Sequence, residues 1–144
     1  MQIQATLIDY NRVYSAISGL TDIEKDKTIK AGLRAATNIF IRAGKSNLSG
    51  RLRGNKTTGN LLKSFRNKVK RNKLGAIAGF NQLGMHAHLL DNGTVRRSTR
   101  SGANRGVMPA NHFWTDAITN NENAAISKVY DGIDRAVNRI LLRN

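Results

Sequence analysis

The chain has 144 residues, 40% of them hydrophobic, which suits one folded domain with a real core better than a disordered segment. It has no cysteine, which excludes disulfides, thiolate metal sites and thiol nucleophiles, and no apolar run nears the roughly 18 residues a membrane span needs. The net charge of +15 is concentrated: residues 45–110 hold fourteen Lys and Arg against Asp91 alone, a local net of +13, while both flanks are close to balanced. A field of that strength has to meet solvent, nucleic acid or an acidic protein, because burying it unpaired is prohibitive. Met1–Ala5 has neither the basic start nor the apolar stretch of a signal peptide, so the cytoplasm is the expected place of synthesis.

In chain order, Ile3, Ala5 and Leu7 alternate as a short strand would. Asp9 is placed to cap a helix with the apolar face Tyr10, Val13, Tyr14, Ile17 and Leu20. Thr21-Asp22-Ile23-Glu24 is a capping box. The helix after it carries Ile29, Leu33, Ala36 and Phe40 on one stripe and is predicted to end near Ala43. Residues 44–57 hold three glycines, the four cations Lys45, Arg51, Arg53 and Lys56, and few hydrophobic residues, and read as a mobile basic loop.

Thr58 is placed to cap a short turn at Asn60–Lys63. Phe65, Asn67, Val69 and Arg71 then share one face of a half-buried strand, and Ala76–Phe80 returns as its hairpin partner, with Gly79 open to close backbone approach. Met85–Leu90 reads as a helical turn ending at an Asn92-Gly93 C-cap. Thr94–Arg97 suggests a further strand, and residues 97–107 a second mobile loop carrying Arg97, Arg100 and Arg105, with Arg96 beside it. The longest helix is predicted over about 111–142. Its stripe is Phe113, Ala117, Ala125, Val129, Ile133, Val137 and Ile140, widened by Trp114, Ile118, Tyr130 and Leu141. The fold class is therefore α+β: a small antiparallel sheet packed by an N-terminal helical region and a long C-terminal helix.

The inventory for chemistry is thin. His86 and His88 lie about 200° apart on a helix and so cannot share a metal there. On a strand they would share a face, but no carboxylate cluster completes a site. Asp131 and Asp134 sit within one helical turn, where pairing with Lys128 or Arg135 is the simpler role. Gly50-Arg51-Leu52-Arg53-Gly54 lacks the Lys-Ser/Thr that would make a phosphate loop. No enzyme, cofactor or metal is expected.

Three segments in fixed order carry a resemblance. Thr58-Gly59-Asn60-Leu61-Leu62-Lys63-Ser64 looks like a Thr-Gly-x-Leu-x-x-Ser signature. Ala87-His88-Leu89-Leu90-Asp91-Asn92-Gly93-Thr94 looks like an Ala-x-x-x-Glu-x-Gly-Thr signature. Pro109-Ala110-Asn111-His112-Phe113-Trp114-Thr115-Asp116-Ala117 looks like a Pro-Ala-x-Pro-Phe-x-x-x-Ala lead into a last helix. Together, over roughly residues 57–144, they resemble the tail-completion, or head–tail joining, proteins of long-tailed bacteriophages. Asp91 stands where that family usually has Glu, His112 and Asp116 stand where it often has Pro, and residues 46–56 lack its usual proline.

The resemblance implies a structural virion protein made in the host cytoplasm. It implies a homo-oligomeric ring, of six or twelve copies, between head connector or adaptor proteins and the tail terminator or tail tube, with no membrane. The motif residues Thr58, Gly59, Leu61, Ser64, Asp91, Gly93, Thr94, Pro109, Phe113 and Trp114 are expected to build the fold. Gly59 would supply a tight turn and Gly93 a positive φ. Asp91 would bond local backbone or pair with an arginine such as Arg96, and Pro109 would pre-set the chain for the last helix. The cations of the two loops would meet acidic neighbours or DNA in the channel. The alternative is a sequence-independent nucleic-acid-binding module, against which stand a 6% aromatic content and the better use of Phe65 and Phe80 as core. A small nuclease using His86, His88 or Asp91 ranks third.

Overall fold

The computed structural model describes residues 27–52, 59–71, 73 and 75–142. The strand, helix and capping box expected before residue 27, and Arg53, Lys56 and Thr58, lie outside the described residues. The architecture is α+β. Helix α1 (Lys27–Arg51) leads to α2 (Gly59–Ser64), then the hairpin β1 (Phe65–Val69) and β2 (Ala76–Phe80). A 3-10 turn (Gln82–Gly84), α3 (Ala87–Asn92), a second hairpin of β3 (Arg97–Ser98) and β4 (Asn104–Gly106), and the long α4 (Phe113–Leu142) complete it.

Helix α1 does not stop near Ala43 but runs to Arg51, so the first half of the expected loop at 44–57 is helical, and Lys45 and Arg51 are helix residues. The reason is packing. Ala36, Phe40, Gly44 and Leu48 continue one ridge at steps of four, and Leu48 is completely buried. Gly44 is a contact point rather than a helix breaker: a Cβ there would lie 2.8 Å from both the Phe65 and Trp114 rings.

Helix α4, 30 residues and so about 45 Å long, runs antiparallel to α1. Gly32 meets Gly132 near one end of the pair, and at the other Asn47 Nδ2 donates to the Phe113 carbonyl at 3.0 Å. At the glycine contact the backbones nearly touch, since a Cβ on Gly32 would come within 2.9 Å of the Lys128 carbonyl oxygen. Phe113, Ala117 and Ala125 are buried as expected, and Val129, Ile133, Val137 and Ile140 are half-buried. Of the residues expected to widen the stripe, Trp114 is half-buried, but Ile118, Tyr130 and Leu141 are exposed, because small residues at Ala125, Gly132 and Ala136 let α1 sit close to a narrower strip.

The β1–β2 hairpin is antiparallel with Phe65 opposite Phe80, and is closed by the Lys70 N–H donating to the Gly75 carbonyl at 2.9 Å. Phe65, Asn67 and Val69 face inward, and Asn67 Nδ2 donates to Asn38 Oδ1 on α1 at 2.8 Å. Arg71 lies beyond the strand and is exposed. A Cβ at Gly79 would meet nothing, so no backbone exploits that glycine. The segment expected to add one more strand to this sheet instead makes a separate two-stranded hairpin, β3–β4. The core gathers where the elements converge: Leu48, Leu61, Phe65, Ala87 and Phe113 are buried together, with Ile41, Phe80, Leu90 and Trp114 against them. No helix among the described residues is long and apolar enough to cross a membrane.

Candidate functional site

The three motifs meet in one joint. The first enters through α2, where Leu61 is buried and Ser64, fully buried, donates from Oγ to the Leu61 carbonyl at 2.6 Å. Gly84 packs directly on the Ser64 side chain, leaving no room for a Cβ. Gly59 does not make the expected tight turn: it is the exposed first residue of α2. From α2 the chain passes into β1, where the Phe65 and Phe80 rings lie 4.7 Å apart and pack edge-on against Phe113 and Trp114 with ring centroids 5.1 to 6.2 Å away. That is the preferred geometry for aromatic quadrupoles.

The second and third motifs clasp each other. Asp91 is 5% exposed and does not pair with Arg96. Its Oδ1 accepts from the Trp114 N–H at 2.7 Å, and its Oδ2 accepts from the Thr115 hydroxyl at 2.6 Å; the Thr115 N–H lies between both oxygens at 3.2 and 3.3 Å. A carboxylate from α3 thus caps α4, satisfying N–H groups that have no partner within the helix and placing negative charge at the positive end of its dipole. The residue before the helix, His112, has φ of 54° and makes no such cap of its own. In return, the N–H groups of Asn111 and His112 donate to the carbonyls of Leu90 and Asp91 at 3.0 and 2.9 Å, satisfying the end of α3.

Gly93 then turns the chain with φ of 75°, as expected, and a Cβ there would stand 2.7 Å from the Ala110 nitrogen. Thr94 pins the strand leaving the joint to the one returning. Its N–H donates to the Met108 carbonyl at 2.8 Å, and its hydroxyl accepts from the Met108 N–H at 3.1 Å. Pro109 is exposed and four residues ahead of α4, so it does not sit in the first helical turn.

Between Thr94 and Met108 the chain forms an arm. The expected irregular loop at 97–107 is a short hairpin in which Arg97 pairs with Gly106 and Ser98 with Asn104 across a bulge. Its tip is held by the Thr99 N–H donating to the Ala103 carbonyl at 2.8 Å and the Ala103 N–H donating to Thr99 Oγ1 at 3.0 Å. No residue from 95 to 107 is buried. Arg96, Arg97, Arg100 and Arg105 are all exposed, and none has a carboxylate within ion-pair distance among the described residues.

The cations of the first region behave differently. Arg51 Nη1 donates to the Asn111 carbonyl at 2.7 Å and its Nη2 pairs with Asp116 Oδ2 at 2.6 Å, so it braces the start of α4. Lys45 lies over the Phe65 ring, 5.8 Å from its centroid. Asn47, Gly44 and Gly84 also belong to the joint, although no sequence motif marks them. Only Gly44 left a sequence signal, its place on the Ala36–Leu48 ridge.

A groove of about 620 Å³ beside the joint is lined by Phe80, Met85, His88, Asp91 and Thr115 among others. Both Asp91 oxygens are already committed to the α4 N-terminus, and His88 Nδ1 lies 2.9 Å from the Met85 carbonyl. Among the described residues no three His, Cys, Asp or Glu gather as a metal site would require. Lys128 and Asp131 form an exposed pair at 3.7 Å, while Arg135 Nε donates to the Asp131 carbonyl. Comparisons of the chain with family models, curated proteins and solved structures give no match.

Proposed function

We propose that this chain is a structural subunit of a phage neck, one copy of a ring that joins the DNA-filled head to the tail. The observation that carries the reading is the convergence of the three motif segments, from residues 59–64, 87–94 and 109–117, on one joint that holds up an exposed basic arm. Such a division suits an assembly part: a braced base presents a polar surface to neighbours. In this reading the arm meets acidic surfaces of the surrounding proteins, because a channel that must pass DNA should not grip it.

The test is electron microscopy of particles from a phage with an early stop codon in this gene. Full heads and finished tails lying separate is the expected result. Normal tailed, infectious particles overturn the proposal. A second reading, sequence-independent binding to duplex DNA, is favoured by the four exposed arginines of the arm, which have no ion pair among the described residues. It requires an affinity that falls steeply with salt and a shallower salt dependence once those arginines are replaced by alanine.

A further inference from the structure

Charge is segregated in this molecule. Apart from buried Asp91, every carboxylate side chain among the described residues lies on α4: Asp116, Glu122, Asp131 and Asp134. Two of these are taken, Asp116 by Arg51 and Asp131 by Lys128. Glu122 and Asp134 have no ion pair among the described residues and are exposed.

Glu122 and Asp134 are the ends of an i, i+4 ridge, Glu122-Ile126-Tyr130-Asp134, about 18 Å long. The two residues between them are large, apolar in their bodies and solvent-facing, Ile126 at 44% and Tyr130 at 62% exposure. A helix ridge that is acidic at both ends and apolar between them gains nothing from water over its centre. The arm has the opposite character: four arginines with no ion pair among the described residues, no carboxylate, and two bare valines at its base, Val95 at 83% and Val107 at 62% exposure.

We propose that the arm of one copy of this chain docks on the Glu122–Asp134 ridge of α4 in a second copy. Arginine forks meet the two unpaired carboxylates, and the valines cover Ile126 and the Tyr130 ring. Pairing arm with arm would set cations against cations, and pairing ridge with ridge would set carboxylates against carboxylates. Contact between the two unlike patches is therefore the favoured association between copies. A contact that joins two different patches is also the type from which rings close. The inference rests on the ring in the function proposed above, but on neither the head nor the tail.

The absence of native cysteine makes a direct test available. Full-length Arg100→Cys and Tyr130→Cys chains, carrying different affinity tags, are mixed and mildly oxidised, and disulfide-linked dimers are counted on a non-reducing gel. The arm–ridge dimer is expected to dominate. Pairing Arg100→Cys with Ile77→Cys, an exposed position on β2, or adding Glu122→Lys and Asp134→Lys to the ridge chain, is expected to lower the yield at least about tenfold.

Equal yields at Ile77, only arm–arm and ridge–ridge products, or no product at all overturn the proposal. So does loss of the product on adding excess duplex DNA, which would assign the arm to phosphate. Separate heads and tails from the stop-codon phage without an arm–ridge dimer would retain the neck role and remove this contact. An arm–ridge dimer alongside normal particles would do the reverse.

Discussion

The joint and the arm are neighbours in the chain and are held by different means. In the joint, buried Leu61, Phe65 and Phe113 pack together, and one carboxylate serves the first turn of a 30-residue helix. In the arm, 13 residues from 95 to 107 bury nothing and are shaped by a few local hydrogen bonds around Thr99 and two strand pairs. The transition is abrupt: Gly93 and Thr94 belong to the joint, and Val95 is almost fully exposed. The molecule's strongest packing therefore supports a surface that does not itself contribute to packing. Core packing and the exposed charge thereby fall to different residues, and substitutions can separate them.

The sharpest break is expected from Phe113→Ala. It empties the centre of the aromatic cluster and should cost about 4 kcal/mol, read as a fall in thermal midpoint of roughly 10 to 15 °C. Next comes Asp91→Ala, which leaves the Trp114 and Thr115 N–H groups uncapped in a mostly buried place and should cost about 3 kcal/mol by urea unfolding. Asp91→Asn, which keeps an acceptor oxygen, should recover about half of that loss; equal costs for the two would show that the cap is not what Asp91 contributes.

Gly93→Ala is expected to cost about 2 kcal/mol, since the new Cβ meets both an unfavourable φ and the Ala110 backbone. At the other extreme, replacing Arg97, Arg100 and Arg105 together with alanine should change stability by no more than about 0.5 kcal/mol while removing association between copies. A triple variant that unfolds early would erase the distinction between the two regions.

Much of the joint could be read from residue order. The β1–β2 hairpin, the positive φ of Gly93 and the helix over 113–142 all follow from local rules: alternation, glycine's freedom and 3.6-residue spacing. Those rules failed where a residue's role depends on a distant partner. Gly44 and Gly50 resemble loop punctuation, yet α1 continues through both because Gly44 meets Phe65 and Trp114, and Leu48 enters the core. Arg51 reads as a free loop cation and proves to be engaged by Asp116 and Asn111, some 60 residues away.

Asp91 shows the division most clearly. Residue order alone says that a short helix ends here, that a glycine follows and that a lone acid stands in a strongly basic stretch. What the acid does depends on how distant elements pack. An N-cap normally comes from the residue beside the helix, and His112 does not supply it; the cap arrives from Asp91, 22 residues before Phe113, once α3 and α4 are brought end to end. Likewise, composition established an excess of positive charge. Which arginines keep that charge unpaired depended on where the few carboxylates came to lie, because ion pairing is set by distance in space and not by spacing along the chain.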